Sequence, residues 1–114
     1  MSGRFKIFTI CLILTSFIGV TSVYAQILQD THSLNLIKRN IDYIYNLQFN
    51  NAHEVHLKIS QLYPGHPVVL LLNGMMIYWE NYPMISTSVA RDSFESDMHR
   101  CIRLCEDNKN TTYE

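Results

Sequence analysis

With 114 residues and a formal net charge of −1, the chain suits one small domain and carries no basic excess, which argues against nucleic acid as a partner. Beyond residue 25 the balance is seven basic against ten acidic residues, a formal charge of −3, with no basic patch in the linear order. A domain of this size lies near the lower end of what builds a self-sufficient core.

Arg4 and Lys6 precede a mostly apolar run from Ile7 to Val20, and Val23-Tyr24-Ala25 closes it with a small residue. A basic start, a short apolar segment and a small-residue cleavage site are the parts of a secretory signal peptide. Cleavage after Ala25 would leave residues 26–114 as the mature chain, in a periplasm or outside the cell. The alternative is an uncleaved anchor over residues 7–24, the one way this chain would reach a membrane. Thr9, Thr15, Ser16, Thr21 and Ser22 dilute that run and favour cleavage. Cys11 lies too deep in it to serve as a lipoprotein site.

Periodicity then predicts four helices in residues 26–107, followed by a polar tail over 108–114. In the first, Leu34, Ile37, Ile41 and Ile44 fall on one helical face, with Asp30 or Thr31 as cap. Asn50-Asn51 marks a turn, and Asn51 is placed to cap a second helix with Ala52, Val55, Ile59 and Leu62 on its stripe. Pro64-Gly65-His66-Pro67 ends it, because proline breaks the hydrogen-bond ladder and glycine accepts a left-handed turn. Pro67 then occupies the first position of a third helix, which proline favours.

That third helix, Val68 to about Trp79, is apolar nearly all round, the mark of a helix packed between neighbours. A buried strand at Val68–Leu72 is the alternative, although the apolar run outlasts normal strand length. Gly74 lowers helix stability and predicts a close approach by another helix. Asn81-Tyr82-Pro83 interrupts the pattern. A fourth helix places Ala90, Phe94, Met98, Cys101, Ile102 and Cys105 on one face and Arg91, Asp92, Glu95, Asp97, Arg100 and Arg103 elsewhere.

The expected fold is therefore all-α, with successive antiparallel hairpins after an N-terminal signal helix. Tyr43, Ala52 and Pro64 sit where a tetratricopeptide repeat carries its tyrosine, second-helix alanine and closing proline. One 34-residue period carries Asn40 to Gly74 and Leu36 to Leu70. The segment Leu36–Pro67 resembles one tetratricopeptide unit, and Val68 to about Cys105 resembles a second. The pattern departs at Asn40, where a small residue is usual, at Ile59-Ser60, near a common alanine, and in the longer loop around Tyr82-Pro83. The resemblance implies a scaffold that binds a protein or peptide in a groove. About three repeats are usually needed for stability, so two imply self-association, a covering partner, or the non-catalytic N-terminal portion of a larger exported or membrane-tethered protein.

Catalytic groupings do not emerge. No serine or cysteine nucleophile stands with a base, no glycine-rich phosphate loop occurs, and no cofactor motif is present. His53-Glu54-Val55-His56 places two imidazoles at i, i+3, but a zinc site needs further ligands and only His32 and His66 are nearby candidates. Helix histidines are the simpler reading, so no metal is expected. Asn110-Thr111-Thr112 matches a glycosylation sequon, relevant in a eukaryotic secretory host. Cys101 and Cys105 share a helical face, either as small packed side chains or as a thiol pair; a bridge within a regular helix would be strained. The aromatic set Tyr43, Tyr45, Tyr63, Tyr78, Trp79 and Tyr82 reads either as core or as recognition surface, since Tyr and Trp bury large area while keeping a polar handle. Tyr43, Tyr45, Tyr78, Trp79 and Tyr82 are the candidate partner-binding residues. Expression in a secreting host should yield a polypeptide beginning at Gln26; an intact mass that retains residues 1–25 would contradict cleavage.

Overall fold

The computed structural model describes Ile27 and residues 29–111. The expected signal segment, residues 1–25, lies outside the described residues. The chain divides into two units, Met1–Asp30 and Thr31–Glu114, and the helices described below belong to the second. That unit is all-α: α1 (Thr31–Tyr45), α2 (Phe49–Leu62), α3 (Pro67–Glu80) and α4 (Val89–Thr111), with no strand among the described residues. Val68–Leu72 is helical, which removes the strand alternative. None of these helices is long and apolar enough to cross a membrane.

Helix α1 buries Ser33, Leu36, Ile37, Asn40 and Ile44. The stripe is rotated from the expected one: Leu34 and Ile41 are half-buried, while two polar residues take its centre. Asn40 is fully enclosed and donates through Nδ2 to the Ala52 carbonyl at 2.6 Å, tying α1 to α2. Its Oδ1 has no hydrogen-bond partner among the described residues. Ser33 bonds the Tyr63 hydroxyl, joining the start of α1 to the end of α2.

The α1–α2 turn is closed by backbone. Gln48 N–H donates to the Tyr43 carbonyl at 2.8 Å and Leu47 N–H to the Ile44 carbonyl at 3.0 Å. This is the double bond of a Schellman ending, with Leu47 in the left-handed conformation at φ 58°. A branched side chain carries a steric cost there that glycine does not.

The capping expectation at Asn51 is overturned. Helix α2 starts three residues earlier, at Phe49, and its N-cap Gln48 makes no side-chain capping bond. Asn51 sits within the first turn, where its Nδ2 donates to Gln48 Oε1 at 3.4 Å. Ala52, Val55 and Ile59 are buried as expected, but Leu62, the last residue of the helix, is 53% exposed.

Gly65 supplies the positive φ of 76° in the next turn, and Pro67 opens α3 at its first turn. His66 is the cap: its Nδ1 accepts from Val68 N–H at 3.1 Å. Helix α3 touches α4 most extensively and also contacts both α2 and α1, so it joins the two hairpins. It is less enclosed than its sequence implies, burying Pro67, Leu72, Gly74 and Met76 while Leu71 and Tyr78 reach solvent. Ile44 of α1, Ala52 of α2 and Met76 of α3 form one fully buried cluster of the core, with Tyr43, Met75 and Trp79 packed around it.

Gly74 marks the close approach of α4. A methyl group added there would lie 2.3 Å from Met98 Cε and 3.6 Å from Phe94 Cδ2. Ser88 caps α4 by accepting from Arg91 N–H at 3.2 Å, and the helix runs to Thr111, past the 107 boundary expected for the domain. The expected face is covered at Ala90, Phe94, Met98 and Cys101, but Ile102 and Cys105 are exposed. Asp97, expected among the solvated charges, is half-buried because Asn73 Nδ2 donates to its Oδ2 at 2.6 Å. No residue of α4 with a described side chain is fully buried.

Two stability outcomes follow. Gly74→Val should cost about 1 kcal/mol, the low end of overpacking, because the atom it meets is the free end of the flexible Met98 side chain, with part of the loss recovered in Gly74→Val/Met98→Ala; additive losses in thermal unfolding would contradict the contact. Leu47→Gly should raise stability by about 1 kcal/mol, measured by urea denaturation, and a loss would contradict the left-handed turn.

Candidate aromatic interface

The rings named from the sequence separate into two groups. Residues two apart on a helix point about 200° away from each other, so Tyr43 and Tyr45 cannot serve the same surface. Tyr43 turns inward onto the core, and Tyr45 turns out with 63% exposure. Tyr43 is therefore a packing residue. Tyr63 stands apart, 6.2 Å edge-on to His66 and bonded to Ser33.

Tyr45, Tyr78, Trp79 and Tyr82 do come together. Trp79 is the hub: its centroid lies 6.0 Å from Tyr45, 5.4 Å from Tyr78 and 5.8 Å from Tyr82. Tyr78 is 5.9 Å from Tyr82 and 5.9 Å from Phe94. Phe94, on the packing stripe that the α4 periodicity predicts, extends the cluster onto α4. The C-terminal ends of α1 and α3 converge here, which places rings from separate helices side by side.

These centroid separations are those of rings in mutual contact. The cluster therefore forms a ridge and not a cage, since a cage needs a gap between its walls for the guest cation. Tyr45 and Tyr82 are each 63% exposed and Tyr78 is 36% exposed, whereas Trp79 is half-covered beneath them. The ridge presents apolar faces with phenolic edges, a surface suited to burial against another protein.

The two histidines weighed as metal ligands, and read instead as helix histidines, point to different partners. His53 Nε2 meets Glu80 Oε1 at 2.5 Å, and His56 Nε2 meets the Val69 carbonyl oxygen at 2.9 Å. Each ties α2 to α3. Among the described residues no group of three or more His, Cys, Asp or Glu side chains is placed to hold a metal ion.

Cys101 and Cys105 are free thiols, half-buried and exposed respectively. Cys101 Sγ donates to the Pro67 carbonyl at 3.4 Å, holding α4 against the start of α3. Burial, and then the neighbouring Cys105, pushes the Cys101 thiol above the usual cysteine range. The less stable thiolate and poorer access both slow its reaction. Compared with known proteins, the chain matches no family model, and no curated sequence or solved structure matches it significantly.

Alkylation by iodoacetamide at neutral pH should therefore label Cys105 before Cys101, as read by peptide mass mapping over time. Equal rates, or faster labelling of Cys101, would contradict the packing of that thiol.

Proposed function

We propose that this chain is an exported, non-enzymatic helical-repeat module that acts as a scaffold by binding a protein or peptide. The observation that carries the reading is the exposed ridge of Tyr45, Tyr78, Trp79 and Tyr82. Leaving such rings in water forgoes the hydrophobic gain of burial, and Tyr and Trp recur at the energetic centres of protein interfaces. Two hairpins joined through α3 are compatible with tetratricopeptide-like units, and the leading basic-apolar-small segment supports export.

A second reading, self-association or continuation into a longer helical array, is favoured by α4. It leaves Val89, its first residue, 81% exposed and Ile102 56% exposed, and no described side chain on it is fully buried. Terminal repeats normally carry a polar outer face; α4 exposes Asp92, Glu95 and Arg103 as such a face would, so Val89 and Ile102 are the residues that a further helix would cover.

Affinity capture from the exported fraction of the host separates wild type from Tyr45→Ala/Tyr82→Ala. Both rings are mostly exposed, so the variant should keep its helical spectrum while losing captured partner by roughly 30-fold, the scale of one interface hot spot. An unchanged set of captured proteins with a folded variant would overturn the assignment of this ridge.

A further inference from the structure

A second surface lies on the opposite margin of the first hairpin, where one side of α1 and one side of α2 enclose an open groove of about 440 Å³. Its described lining is His32, Leu36 and Arg39 from α1 with Lys58, Gln61 and Leu62 from α2. The spacing is one helical face on each side: i, i+4 and i+7 on α1 against i, i+3 and i+4 on α2. Leu36 forms a buried floor, and Leu62, left uncovered at the end of its helix, forms an exposed wall.

Arg39, Lys58 and Gln61 carry nitrogens able to donate, and no carboxylate is among the described lining residues. Arg39 makes no hydrogen bond or ion pair with any described residue, so its planar donors are available. Lys58 is held by Glu54 one turn before it, at 2.9 Å, in a solvent-exposed pair. Lys58 holds the Glu54 carboxyl below the usual carboxylate range. Such a surface pair is weak and exchangeable, so the ammonium can also reach an incoming anion.

The geometry points to a binding site for a small organic anion with a short apolar body, its charged head on Arg39 and Lys58 and its chain along Leu36 and Leu62. The volume falls in the range of small-ligand sites. A charged oxygen fits the donor set better than a neutral one, because a hydrogen bond to a charged group is the stronger kind. Either a carboxylate or a phosphate ester supplies that head. The site is separate from the aromatic ridge and does not depend on the scaffold reading.

Calorimetric titration of the full chain with decanoate, decyl phosphate, decanol and decyltrimethylammonium, each below its micelle concentration, tests this. One or both anions should bind with a single site and weaken with added salt, and the relative affinity of the two identifies the preferred head. Arg39→Gln should reduce that affinity roughly tenfold or more. Leu62→Asp, at an exposed position, should abolish it while far-ultraviolet dichroism stays unchanged. Decanol binding as tightly as both anions, no anion binding at all, or full binding by folded Arg39→Gln would each overturn the site.

Discussion

Ile44, Ala52 and Met76 meet with no exposure to solvent, and each belongs to a different helix. That contact is what makes one domain from two hairpins. An isolated helical pair buries only part of its apolar surface, so α1–α2 and α3–α4 each depend on the seat that Met76 takes between Ile44 and Ala52. The polar ties follow the same seam. His53–Glu80 and His56–Val69 join α2 to α3, and Asn40 fastens α1 to α2 at Ala52, inside the core. Burial supplies most of the favourable free energy, and the hydrogen bonds fix which side of each helix is buried.

The same seam places the surfaces that recognition would use. Because Tyr43 and Trp79 pack around the core, Tyr45, Tyr78 and Tyr82 meet at its edge as one ridge. Prearranged rings lose little side-chain entropy on binding, which is the advantage of a helical scaffold over a flexible segment. The groove beside Arg39 arises from the other margin of the α1–α2 pair, where Leu62 stays exposed.

Much of the helical layout was legible because proline, glycine and apolar spacing act locally. Pro64-Gly65 ended α2, Pro67 opened α3, and Gly74 anticipated a close neighbour whose identity, Met98, only the packing reveals. Asn51 misled because asparagine favours caps in general, whereas here the chain re-enters the helix at Phe49 through a backbone-closed turn at Leu47. Ser33 and Asn40 were invisible to an apolar count, yet both are buried through bonds to groups far along the chain. The inward turn of Tyr43 was available from helical geometry, since its neighbour Tyr45 two positions on must face away. Cations at positions 39 and 58 looked dispersed in the linear charge pattern, and only the antiparallel pairing of α1 with α2 brings them to one groove.

The central claim is that the hairpins form one cooperative body through Met76. Trp79 is the chain's single tryptophan and packs against that core, so its fluorescence reports the seam while far-ultraviolet dichroism reports all helices. In Met76→Ala, thermal unfolding followed by both signals should shift down together, with a loss of about 2–5 kcal/mol. Separate transitions for the two signals, or a variant as stable as the wild type, would contradict it.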